Sequence, residues 1–179
     1  MGIGIVVCGL NGCGKSTLCK ALSEQMKIHF IDNEDLFFSR SSANEPYVNP
    51  RSRAEVEELL ISKAKRYQDF VFAAVNGDYG TEIHQLYTYA VLMEVPKEIR
   101  MQRVRNRSFQ KFGNRMLEGG DLHRAEEQFF EMVESRTDAY VETWADSLQI
   151  PVIRVDGTLP IAENVQFIMK QIGNLQPSP

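Results

Sequence analysis

The chain has 179 residues, ample for one α/β domain and tight for two. Its 43% apolar and 25% charged residues are ordinary globular usage, which excludes a disordered or collagen-like chain. Twenty Lys and Arg against 24 Asp and Glu give a net charge of −4, which argues against broad nucleic-acid binding and leaves room only for a local basic site. No apolar run reaches the roughly 18 residues of a spanning helix. Met1 to Leu10 is too short and too uncharged at its start for a signal peptide. Cys8, Cys13 and Cys19 are an odd, clustered set, which suggests reduced thiols, with Cys8 and Cys19 as core residues. A soluble cytoplasmic protein, with no membrane partner, is the expectation.

In chain order, Ile3–Cys8 reads as a fully buried strand, followed by a helix over Lys15–Met26. A second strand, Ile28–Ile31, leads into Ser39–Ser52, a polar stretch with Pro46 and Pro50 that reads as an irregular connection. A helix over Arg53–Tyr67 precedes strands at Phe70–Val75 and Tyr89–Val95. Pro96 opens a helix over Lys97–Arg107. Ser108–Gly120, with three glycines among basic residues, reads as a mobile loop of the kind that serves as a lid. A long helix is expected over Asp121–Ser147, then a strand at Val152–Val155 and a last helix over Ile161–Ile172 opened by Pro160. Five strands alternating with helices imply one domain over residues 1–179, a parallel sheet with helices on both faces. Ligands of such sheets bind beyond the carboxyl ends of the strands.

Directly after the first strand stands Gly9-Leu10-Asn11-Gly12-Cys13-Gly14-Lys15-Ser16-Thr17, which satisfies G-x-x-x-x-G-K-[ST] between a strand and a helix. The backbone of Asn11, Gly12, Cys13, Gly14, Lys15, Ser16 and Thr17 is suited to wrap a nucleotide phosphate. Lys15 supplies a point charge for the β/γ oxygens, and Ser16 a hydroxyl for Mg²⁺. Cys13 reads as a small side chain turned away from the nucleotide, unless loop dipoles make its thiol oxidisable.

Asp32 and Glu34 follow the second strand, where a carboxylate can order a Mg²⁺-bound water or take a substrate proton. Asp35, ahead of an apolar run, reads as a helix cap. Gly77 and Asp78 follow the third strand and suggest either a substrate contact or a plain turn. Arg100, Arg103, Arg105, Arg107, Lys111 and Arg115 form a run with no acid from Ile99 to Leu117, which suggests an anionic partner. Arg103 and Arg107 share a helix face, as do Arg136 and Tyr140, with Trp144 continuing that face as core. An RNA-binding patch would need interleaved aromatic platforms, which this run lacks. His29, His84 and His123 have no metal-ligand spacing.

From Gly9–Thr17 to Val155-Asp156-Gly157-Thr158, the chain resembles the P-loop kinases that include adenylate kinase and shikimate kinase. The resemblance implies an α/β P-loop fold with a short lid at 108–120 and an acceptor-side insert and helices at 39–67. Asp32-Asn33-Glu34 is similar to the Asp-x-Asp of shikimate kinases, whose first acid serves the metal's water shell and whose second helps bind substrate. Arg103-x-x-x-Arg107 is similar to the lid-entry pair, the first packing on adenine and the second reaching phosphates. Arg136 matches an arginine that contacts substrate, and Asp156-Gly157-Thr158 the loop over adenine. The third-strand loop departs from both groups, and Arg51 or Arg53 is a candidate either for an acceptor-binding cation or for a surface residue.

The expected activity is transfer of the γ-phosphoryl of Mg·ATP to a small molecule, with Lys15, Asp32, Arg107 and Arg136 as catalytic residues. A hydroxyl acceptor, as in shikimate kinases, is favoured over a nucleoside monophosphate. The competing reading is a P-loop switch or ATPase acting on a protein or RNA partner. Oligomeric state is open, with a monomer favoured.

Overall fold

A computed structural model describes residues 2–38 and 49–175, so Met1, the connection at 39–48 and 176–179 lie outside the described residues. Most of the predicted irregular stretch Ser39–Ser52 falls there. Five strands form one parallel sheet: β1 (Gly4–Cys8), β2 (His29–Asp32), β3 (Phe70–Ala73), β4 (Tyr89–Glu94) and β5 (Val152–Asp156). Their order is β2-β3-β1-β4-β5, with Val6 opposite Phe72 and Ala90 across the two central ladders. β1 is buried along its whole length, as its unbroken apolar run requires of a strand covered on both faces.

Alternate residues of the strands feed two cores. Val6, Cys8, Phe72, Ala90 and Leu92 pack on one face, against α3 (Arg53–Tyr67) and α7 (Asp138–Ser147). Ile5, Val7, Val71, Val91 and Met93 pack on the other, against α1 (Lys15–Met26) and α8 (Ile161–Leu175). The left-handed Gly14 starts α1, and a capping box between Ser52 and Glu55 starts α3. No helix among the described residues is long and apolar enough to cross a membrane.

Three expectations change form. Ser108–Gly120 is not an irregular loop: α5 (Lys97–Phe112) continues through its first half and a 3-10 turn, Gly113–Met116, follows. Met116 is buried with Met101, Val104, Phe130 and Val133, a small core that holds the turn against α5 and α6 (His123–Ser135). Arg115 and Asp121 fasten it further with paired hydrogen bonds of 3.0 and 2.7 Å. The helix expected over Asp121–Ser147 is two helices, α6 and α7, broken where Arg136 and Thr137 are extended. Thr137-Asp138 is a polar pair suited to a helix start, and Arg136 and Tyr140 therefore stand on opposite sides of a break. Finally, the cap of α2 (Asn33–Phe37) is Asp32, whose Oδ1 accepts from the Glu34 N–H at 3.0 Å, while Asp35 lies inside the helix.

Candidate active site

The carboxyl ends of β1, β2 and β3, with α5, α6 and the α7 start, enclose a cleft of about 830 Å³. Its floor is the loop between β1 and α1. The Gly9 N–H donates to Val75 carbonyl at 3.0 Å, which ties the loop to β3. Gly12 and Gly14 hold φ of +85° and +98°, which only glycine adopts without strain. Asn11, Gly12, Gly14, Lys15, Ser16 and Thr17 all line the cleft. The Lys15 Nζ donates to the Leu10 carbonyl at 3.1 Å and touches the Cys13 sulfur at 3.8 Å, so its ammonium is folded over the loop. Cys13 itself is fully buried in the core and does not line the cleft, which restricts its part to the backbone.

Arginines grip this loop from above. Arg103 Nη1 donates to the carbonyls of Gly12 at 3.4 Å and Gly157 at 3.1 Å, joining the phosphate loop to the turn after β5. Arg136, freed by the helix break, donates to Asn11 Oδ1 at 2.7 Å. Arg107 also lines the cleft, one helical turn beyond Arg103. The rest of the basic run is occupied elsewhere. Arg100 is 3% exposed, donates to the Val95 carbonyl and faces Asp138 at 3.8 Å. Arg105 lies over the Phe130 ring and within 3.8 Å of Glu127. The run as a whole is thus no anion-binding surface; only Arg103 and Arg107 reach the cleft.

On the opposite wall stand Asp32, Glu34 and Arg53. Arg53 lies over the Tyr79 ring, 5.4 Å from its centroid, and donates to the Asp78 carbonyl. Tyr79 in turn donates to Asn33 Oδ1 at 2.7 Å, and burial raises its phenol above the ordinary value. Arg51 is directed away, donating to the Leu36 carbonyl at 2.8 Å. Asn33, Tyr79, Phe37, Phe129, Met132 and Tyr140 line the cleft without having been singled out as ligand contacts. Only Tyr140 had a signal, its spacing from Arg136; the others became neighbours through packing between distant segments.

Besides Cys13, three expected residues are not on the cleft. Gly77 packs inward: a Cβ there would lie 2.7 Å from Val6 and 2.9 Å from Trp144. Asp78 turns its carboxylate to His84 at 3.4 Å and its carbonyl to Arg53, so it stands behind the wall. Gly157 backs the phosphate loop, where a Cβ would lie 2.9 Å from the Cys13 carbonyl oxygen. Cys8 is pushed up to about 12, and Cys19 well above the ordinary thiol value, both by burial. They are core groups.

Among the described residues, no three His, Cys, Asp or Glu side chains gather to hold a metal. Ser16 and Asp32 nevertheless face one cleft beside a phosphate-binding loop. That sparse set suits Mg²⁺, which keeps waters and relies on substrate phosphates for its remaining ligands.

Residues 5–117 match AAA_18, an AAA domain family. This chain belongs to the AAA domain family. Another relative is the uncharacterized protein YqaC of Bacillus subtilis (strain 168), 23% identical over 95% of this chain and 97% of that protein. Among solved structures, a gluconokinase from Sinorhizobium meliloti 1021 has a TM-score of 0.57 at 17% identity, covering 97% of this chain and 93% of its own. An uncharacterized protein from Eubacterium ventriosum ATCC 27560 matches with the same score and identity, over 97% and 99%. The AAA-family assignment, the phosphate loop and the parallel sheet together make this a P-loop α/β protein, with the fold that the gluconokinase structure shares.

Proposed function

We propose that this protein is an ATP-dependent phosphotransferase that moves the γ-phosphoryl of Mg·ATP to a small-molecule acceptor, with a hydroxyl as the attacking group. One observation carries the reading: the phosphate loop, Asp32, Arg107 and Arg136 line the same cleft. The likeness to a gluconokinase supports a hydroxylated acceptor. In this reading the loop N–H groups and Lys15 hold the β/γ oxygens, and Arg103 packs against the base. Asp32 has Oδ1 engaged by the Glu34 N–H, so Oδ2 takes the acceptor's proton. The acceptor oxygen then bonds to the γ-phosphorus while the bond to the β-phosphate oxygen breaks, its electron pair leaving with ADP. Arg107 and Arg136 offset the charge spread over the transferred group. Ser16 and Asp32 would hold Mg²⁺ and its water, and the ion would supply further neutralisation of phosphate charge. Glu34 and Arg53 orient the acceptor from the opposite wall.

A switch or ATPase would consume ATP without regard to acceptor. Screening hydroxylated acids, sugars and nucleoside monophosphates against ATP consumption decides between the two. Turnover that no acceptor stimulates refutes the phosphotransferase.

A further inference from the structure

One buried group on the cleft has no part in the phosphoryl-transfer scheme. Glu126 lines the cleft and is 7% exposed, yet its Oε2 has no hydrogen-bond partner. Nor does it form an ion pair among the described residues. A carboxyl oxygen enclosed without a donor is unfavourable, and folded proteins keep few of them.

Its surroundings restrict what could satisfy it. Glu126 stands on α6, and Phe129 and Met132 follow on the same cleft-facing side at helical spacing. Val104 of α5 and Phe37 of α2 also line the cleft. The Lys97–Glu134 and Arg105–Glu127 pairs show that α5 and α6 run antiparallel. α6 therefore carries the cleft from Arg136, which is bonded to Asn11 on the phosphate loop, out to Glu126. At 1.5 Å per residue, Glu126 lies about 15 Å along that line. The same register sets Glu126 level with Arg105–Arg107 of α5, so a group meeting it lies beside the cleft-lining Arg107. Polyol hydroxyls set against Phe129, Met132 and Phe37 would lose water and find no partner, whereas a flat ring loses nothing there. An oxygen that only lacks a donor then asks that ring for an N–H.

We infer that Glu126, Phe129, Met132 and Phe37 form a recognition subsite for the acceptor, taking a planar nitrogen heterocycle through a ring N–H or amino donor. Resting on the phosphotransferase reading, the subsite fixes the ring of the acceptor and selects against plain sugar acids.

The test is calorimetric titration of the full chain saturated with Mg²⁺ and a non-hydrolysable ATP analogue, so that the nucleotide's own base site is filled. The probes are adenosine, cytidine, their 5′-monophosphates and D-gluconate. At least one heterocycle should bind about tenfold or more tighter than gluconate. E126Q should weaken that ligand about tenfold, and M132A, a change at a surface-exposed position that leaves the fold intact, about threefold. Neither substitution should weaken any gluconate binding. Gluconate binding tightest, no heterocycle binding, or heterocycle affinity unchanged in either variant overturns the subsite. Replacing the analogue with ATP then separates the two claims. A heterocycle that binds through Glu126 but is never phosphorylated sinks the phosphotransferase and leaves the subsite. Phosphorylation of gluconate without heterocycle binding does the reverse.

Discussion

At Gly12 the phosphate loop presses against α5, and Gly12→Ala measures that contact. A Cβ there would push into the Arg100 backbone carbonyl oxygen and lie 3.0 Å from Val104 Cγ2. The carbonyl belongs to α5 and cannot swing aside as a flexible side chain would. The residue also holds φ +85°, so alanine adds about 1–2 kcal/mol of left-handed strain. Overpacking adds about 1–3 kcal/mol, for a combined loss of about 2–5 kcal/mol. In a domain of this size each kcal/mol lowers Tm by about 2–4 °C, so the expected fall is about 4–20 °C. Gly119→Ala is the internal control: φ is +84°, close to that of Gly12, but nothing lies within 4 Å of its Cβ, so only the strain remains. The restricted unfolded chain offsets about 0.4–1 kcal/mol in both variants and cancels in the comparison. Thermal unfolding followed by circular dichroism gives the two values. Equal falls for Gly12→Ala and Gly119→Ala would refute the claim that α5 clamps the loop.

Lys15→Ala should cut acceptor phosphorylation by roughly 10²–10³ with Tm unchanged, since the lost charge acts on the phosphates and not on the core; full activity in a coupled assay contradicts the assignment. Asp32→Asn keeps an oxygen for the Glu34 N–H and loses only charge, so kcat should fall far more than ATP affinity, with no change in Tm. Asp32→Ala should in addition remove the cap, about 1 kcal/mol and some 2–4 °C; an unaffected kcat in both variants excludes Asp32 from the chemistry. The hydrogen bonds from Ser52 hold the Glu55 carboxyl below its ordinary value. A depressed carboxyl contributes stability above the unfolded value of about 4.3 and loses it as pH falls through the lower folded value. Acid unfolding should therefore lose part of its pH dependence in that window in Ser52→Ala, and identical acid curves reject the capping box as its source. Residues 108–120 should gain hydrogen-exchange protection when a non-hydrolysable ATP analogue orders Arg103 and Arg107, and protection equal with and without nucleotide means that no lid closes.

Local signals carried much of this architecture. α1 and α3 begin and end at the residues their patterns indicate, because Gly14-Lys15 and Ser52-x-x-Glu55 mark helix starts through neighbouring backbone alone. The phosphate loop is equally local: its glycines, lysine and serine are contiguous, and the strand before them is unmistakably buried. What depends on distant partners was not legible. The break at Arg136-Thr137 carries no Gly or Pro, and its consequence, an arginine bonded to Asn11, joins residues 125 apart. Spacing could not say whether Arg51 or Arg53 faces the cleft; the Leu36 carbonyl captures one and the Tyr79 ring holds the other. Nor could composition tell that Gly77 turns into the core between Val6 and Trp144. Glu126 looked like any acid on a charged helix until packing closed over its oxygen. Periodicity and capping are properties of a few consecutive residues, so sequence alone determines the elements and the loop they frame. The direction a side chain takes, and the charge it meets, are decided by segments far apart in the chain, and those meet only in the folded structure.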